Sequence, residues 1–186
     1  MLGARAAGVI AEAMGRNLSP TPYQSSAVQA ATALAAGGGD ALAEWGPKIA
    51  AGEAVVAFAV DEGAKHTPAR MATPARPDGN GFVLNGAKAA VAAAYGADQL
   101  IVAAMANGSP ALFLVDPKAA GVTVDRREQL DSRNAADIQL DGVRVERPLG
   151  SLEEGPEILE KTLRTGRAVA AAEQLGVCRE VAARPV

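Results

Sequence analysis

The sequence predicts an α+β fold in three parts. Helices occupy residues 1–52, short antiparallel strands 53–150, and one long helix 151–186. Three observations carry this. Apolar residues recur at helical spacing before residue 52 and again after 151. Between them, short apolar runs alternate with turns rich in Gly, Asn and Asp. No helical stretch alternates with those strands, which argues against a parallel doubly wound sheet.

Ala6 to Arg16 places Val9, Ile10 and Met14 on one helical face. Pro20 and Pro22 break that helix, because each removes a donor and pushes the residue before it towards extended backbone. Ser25 or Ser26 caps a second helix, Ala27 to Ala36, which Gly37, Gly38 and Gly39 end. Asp40 caps a third, Ala41 to Ala50, which contains Trp45; Pro47 bends or shortens it and Gly52 closes it. The strands then run Val55–Val60, Arg70–Arg76, Phe82–Leu84, Lys88–Ala92, Gln99–Met105, Ala111–Val115, Val122–Arg126, Ala136–Leu140 and Val143–Glu146. Pro74 argues for an edge position. Asp78-Gly79-Asn80-Gly81, Asn85-Gly86 and Asp141-Gly142 read as tight turns. So many short strands imply a sandwich or a barrel. Ser151 caps the last helix, with Glu153 and Glu154 in its first turn. At about 1.5 Å per residue this helix is a rod of roughly 45 Å. Its apolar residues, Ile158 to Val181, spread beyond one stripe, as in a helix packed on more than one side. Partner helices are therefore expected to be missing from this chain or to come from another.

Composition narrows the function. Hydrophobic residues make up 49% and aromatics only 3%, so the core depends on many small contacts. A net charge of −3 with scattered basic residues favours neither nucleic acid nor an anionic membrane. The apolar runs are too short to cross a bilayer, and the N-terminus lacks a signal-peptide core. A single cysteine, Cys178, excludes an internal disulfide and fits a reducing, cytoplasmic compartment. One histidine and one cysteine far apart argue against a zinc site and leave little for His-centred catalysis.

The stretch AVVAFAVDEGAKH, Ala54 to His66, is an apolar strand that runs into Asp61, Glu62, Lys65 and the only histidine. Asp61 and Glu62 read either as an acid/base pair or cofactor contact, or as a polar strand end leading into a turn. His66 is a candidate base or a solvated loop residue. GGGD and DGNG fit neither phosphate-loop pattern and read as cap and hairpin glycines. Lys88 is a candidate anion contact, with a solvated strand lysine as the expectation.

Six blocks in order resemble the acyl-CoA dehydrogenase family across nearly the whole chain: VIAEAMGRNLSPTPYQSS, DALAEWGPKIAAGEAVVAFAVDE, DGNGFVLNGAKAAVAAAYGADQLIVAA, ALFLVDPKAAGVTV, DSRNAADIQLDGVRVERPLG and GRAVAAAEQLGVCREV. The third is the most specific; it resembles the family's DGDGYVLNGTK stretch. The resemblance implies the end of an N-terminal helical domain, a middle β-barrel and the first helix of a C-terminal four-helix bundle. It also implies FAD, an acyl-CoA substrate, α,β-dehydrogenation of the thioester, and a homo- or hetero-oligomer formed through the bundle.

On the family's pattern, Val60 and Asp61 and then Ala90, Val91 and Ala92 fall where flavin is contacted, and His66 falls near the substrate. The pattern has T-E-P at Asp61-Glu62-Gly63 and W-I-T or W-I-S at Ala90-Val91-Ala92. A hydroxyl donor is thus replaced by a carboxylate, and an aromatic wall and a second hydroxyl by alanines. The bundle helices that carry the family's catalytic glutamate lie beyond the matched residues, so no catalytic residue is assigned. Two other readings stand beside this one. One is a non-catalytic subunit of a heteromeric acyl-CoA dehydrogenase, and the other is a β-barrel binding or interaction module.

Overall fold

A computed structural model describes residues 3–184. Helix α1 (Ala4–Arg16) is followed by a second helix whose first turns, Tyr23–Ala30, are of the wide π type and which continues as α2 (Ala31–Gly37). Helix α3 (Gly39–Ala51) contains Pro47 and ends at Gly52 in the left-handed conformation. Seven strands follow: β1 (Val56–Ala59), β2 (Pro74–Asp78), β3 (Gly81–Ala92), β4 (Gln99–Ala106), β5 (Ser109–Val115), β6 (Val122–Arg127) and β7 (Ala135–Val145). Helix α4 (Gly155–Ala183) closes the described chain. No helix among the described residues is long and apolar enough to cross a membrane.

The predicted fold class holds: this is an α+β molecule with a curled seven-stranded sheet ordered β1-β4-β2-β3-β7-β6, and β5 on β4. Two pairings are parallel, β1 with β4 and β2 with β4. Strand β5 pairs with β4 from Leu100 to Ala106. Strands β1 and β2 therefore share the opposite edge of β4, one after the other. Ala59 sits opposite Val102 and Pro74 opposite Met105. A three-residue step along β4, about 10 Å, is bridged by the chain from residue 60 to residue 73, which must loop away from the sheet and return.

Two expected hairpins are continuous strands. Asn85-Gly86 lies within β3, and Asp141-Gly142 lies within β7. The turn signals were real but they mark bulges. Between the pairs Leu84↔Val143 and Gly86↔Leu140, β7 carries the extra residue, and Gly142 takes a positive φ of 64° there. Between Lys88↔Ile138 and Val91↔Ala136 the extra residue is on β3, where Ala90 has φ 50°. These kinks curl the sheet. Pro74 is likewise not on an edge; β2 lies between β4 and β3. The proline is tolerated because the bond to β4 runs from Met105 N–H to Thr73 O, one residue earlier.

Strand β4 explains its own unbroken apolar run. Leu100, Val102 and Ala104 enter the core inside the curled sheet with Leu84, Phe113, Ile138 and Val143. Ile101 and Ala103 face the other way, into a layer with Leu34, Phe58, Leu112, Ile158, Leu159 and Leu163 from the helices and neighbouring strands. A strand buried on both faces has no polar alternation.

Ser25 and Ser26 do not cap a helix. Both are buried in its π-type turns, and their hydroxyls accept from Phe58 N–H (3.2 Å) and Val56 N–H (3.1 Å). They thereby satisfy the edge of β1 that lies away from β4. Ser151 does not cap α4 either, whose N-cap is Glu154 with no side-chain bond; it closes the turn just before the helix, where Ser151 Oγ accepts from Glu154 N–H and the Glu154 carboxylate accepts from Ser151 N–H. Helices α1 and α4 pack almost backbone to backbone. A Cβ added at Gly15 would lie 2.0 Å from Glu173 O, and one at Gly176 would lie 2.0 Å from Glu12 O.

Candidate functional site

The predicted site residues occupy a seam where the end of β1 meets the bulge of β3. The seam is stitched residue by residue. Lys88 Nζ donates to Val60 O (3.2 Å), Ala89 N–H donates to Asp61 O (2.8 Å), and Ala90 N–H donates to Asp137 Oδ1 (2.7 Å). The Arg127 guanidinium holds both oxygens of Asp137, at 2.9 and 3.0 Å. The Ala90 amide and that guanidinium keep the Asp137 carboxyl below its ordinary pKa. Val60 and Val91 are buried, Asp61 and Ala90 half-buried, and Ala92 and His66 exposed.

Asp61 and His66 meet. Asp61 Oδ2 lies 2.8 Å from His66 Nδ1, and Asp61 Oδ1 accepts from Thr67 N–H at 3.1 Å. The strand end and the loop after it are thus joined by one carboxylate. With Asp61 ionised, this contact puts the ring proton on Nδ1 and leaves Nε2 as the free acceptor.

Lys88 overturns the expectation of a solvated strand lysine. Only 1% of the residue is exposed. Its ammonium bonds Glu62 Oε1 at 2.8 Å. Glu62 also accepts from Ala72 N–H (2.8 Å), Thr73 N–H (2.9 Å) and Thr73 Oγ (2.5 Å). Burial alone would raise the Glu62 carboxyl. Lys88, Thr73 and the two amides outweigh it and bring the pKa down to about 2. Burial pushes Lys88 the other way, below the usual lysine range, against the pull of Glu62 and Asp61. The sequence did contain a signal. Lys88 shares the strand parity of buried Leu84, and no extra β3 residue intervenes between them. A lysine on an inward-facing position requires a buried counter-charge.

The same fold recurs in known proteins. No family model matches the chain. It is 35% identical over 139 residues to 3-(aryl)acrylate reductase of Clostridium sporogenes, covering 69% of this chain and 37% of that protein. It is 30% identical over 135 residues to acyl-CoA dehydrogenase FadE27 of Mycobacterium tuberculosis, covering 72% and 35%. Among solved structures it matches the steroid ACAD Tcur3481-Tcur3483 at TM-score 0.85 and 34% identity, over 96% of this chain and 47% of that one. The ChsE4-ChsE5 complex of Mycobacterium tuberculosis matches at 0.82 and 26%, over 96% and 48%. A glutaryl-CoA dehydrogenase of Mycobacterium smegmatis in complex with FADH2 matches at 0.74 and 28%, over 84% and 44%. Helices, curled sheet and long helix are thus the framework of a class of oxidoreductases. Within that class, the chain belongs to the acyl-CoA dehydrogenase family. It spans a little over a third of the two curated relatives and just under half of the three solved chains.

Flavin is the cofactor carried by the glutaryl-CoA dehydrogenase relative, and the seam's donor set does not fit it. Both Asp61 oxygens are already engaged, and an ionised carboxylate has no proton to donate to a flavin carbonyl. Ala90 and Ala92 bring neither a ring to stack nor a hydroxyl to bond. The backbone of the seam is fixed by hydrogen bonds, but Ala90 and Ala92 bring no functional group to it.

Proposed function

We propose that the protein works in the α,β-dehydrogenation of an acyl-CoA thioester as a non-catalytic subunit, paired with a homologue that carries the FAD. The observation behind this reading is the contrast within the seam. Its backbone is fixed by the Asp61–Ala89 and Asp137–Ala90 bonds, while Asp61, Ala90 and Ala92 lack the groups that would hold flavin. The solved relatives include a complex of two differently named chains, ChsE4 and ChsE5, which supports a heteromeric assembly. In that assembly this chain's helical layer and curled sheet support the partner, and the chain itself holds no flavin on Val60, Asp61 or Ala90 to Ala92. His66 sits at the rim of the same seam, where a substrate would pass.

The test is the visible spectrum. The protein purified alone is expected to be colourless and to take up no added FAD. Co-expressed with a flavin-binding homologue, it is expected to co-purify as a yellow complex that oxidises an acyl-CoA. A yellow preparation of this chain alone would overturn the subunit reading in favour of a self-sufficient flavoprotein. Two chains that stay separate and inactive when mixed would overturn it as well.

A further inference from the structure

The chain from residue 62 to residue 73 is a strap. It leaves the edge of β4 at the end of β1 and rejoins the same edge at the start of β2. From Gly63 to Arg70 every residue is exposed except half-buried Pro68, and the one apolar side chain of the strap that enters the core is Met71, near its end. Two carboxylates hold the rest. Asp61 reaches His66 and Thr67 in its first half. Glu62, at its start, grips its end through the Ala72 and Thr73 amides and the Thr73 hydroxyl. Beneath the closed strap lies Lys88, with Val60 O and Glu62 as its acceptors.

A loop with few buried apolar contacts belongs to the least stable part of a protein. Here Met71 is the one buried apolar contact, and the carboxylate that grips the strap's end is itself held by a buried ammonium from a different strand. We infer that Lys88 and Glu62 form a lock on the 62–73 strap. With the pair intact, the strap is closed and Lys88 is sealed; with the pair broken, the strap opens as a unit while the sheet stays folded. Opening uncovers Lys88 and the Val60 end of β1, and it frees His66 from its fixed place beside Asp61. This inference is independent of whether the seam binds flavin, so the flavin experiment and the one below fail separately.

Hydrogen exchange read by mass spectrometry tests the lock on the full chain. In Lys88→Met/Glu62→Leu, which removes both charges and leaves no unpaired ion in the core, the Ala72 and Thr73 amides are expected to exchange at least ~10-fold faster than in the wild type. Amides of β4 and β5 are expected to stay within about threefold. Acetic anhydride supplies a second readout, in a variant that retains the lysine. In Thr73→Val, Lys88 is expected to acetylate several-fold faster than in the wild type, with exposed Lys65 as the internal standard. Equal acceleration of strap and sheet amides would mean that the pair supports the whole fold and not the strap. Unchanged strap amides, or Lys88 acetylated as fast as Lys65 in the wild type, would also overturn the lock.

Discussion

Two stretches of one strand, two residues apart, are built on opposite principles. At residue 88, β3 places an ammonium in the core and surrounds it with a counter-ion, a carbonyl and a closed loop. At residues 90–92 the same strand presents two alanines and a buried valine, with Ala90 held at positive φ. The first stretch is rich in side-chain chemistry that serves the fold. The second has a conformation typical of a site and almost no side-chain chemistry. The bulge at Ala90 is kept by Asp137, Arg127 and Asp61 O, none of which depends on a ligand.

The largest effect that would test this contrast is at Lys88. Lys88→Met leaves the Glu62 carboxylate without its cation, and chemical denaturation is expected to show a loss of about 3 kcal/mol or more. Lys88→Met/Glu62→Leu is expected to recover to within about 1 kcal/mol of the wild type. A single variant as stable as the wild type would mean that the pair contributes nothing to the fold.

The next effect is set by pH. Glu62 titrates near 2 in the folded protein against 4.5 ordinarily. A depressed carboxyl stabilises the folded state above its unfolded pKa. That contribution is complete above about pH 4.5 and disappears as the pH falls from there through about 2. The wild type is expected to lose on the order of 2 kcal/mol more than the double variant across that window, seen as a diverging urea midpoint. Parallel acid profiles would place the shift elsewhere.

Smaller effects are expected on the bare side of the seam. Ala90→Gly relieves a left-handed alanine and is expected to stabilise by up to about 1 kcal/mol in thermal melts. A loss of stability there would show that the Ala90 methyl packs against something essential. The smallest readout is ligand binding by Asp61→Thr/Ala90→Trp/Ala92→Thr, which loses the Asp61 bonds to the strap and puts Trp at positive φ, and is expected to cost about 1–3 kcal/mol of stability. It should nevertheless gain measurable FAD binding by fluorescence quenching. If it gains none, the loss of flavin contact does not reside in these three side chains.

Much of the fold was legible in the sequence because its signals are local. The helices before residue 52, the run of short strands after it and the long C-terminal helix all follow from patterns within a few residues. The positions that misled are those whose meaning depends on a distant partner. Asn85-Gly86 and Asp141-Gly142 look like hairpin turns, and whether such a pair turns or bulges is decided by the strand opposite, more than 50 residues away, where Asn85 Oδ1 meets Gly142 N–H. Ser25 and Ser26 look like caps until β1 arrives, some 30 residues later, with two unpaired amides. Asp61 and His66 were legible as candidates, five residues apart, but their direct contact was not.

The sequence by itself determined the class of the molecule and the sequence of its elements, because each is written in residue type and order. Tertiary structure alone decided that Lys88 is sealed from water, that Glu62 is its counter-ion and that residues 62–73 form a strap; strand parity with Leu84 points the lysine inward but does not cover it. A lysine on a strand is solvated or sealed according to what crosses over it. Here the covering loop comes from 26 residues upstream, and only the folded sheet, with β1 and β2 aligned along one edge of β4, brings that loop back across the strand.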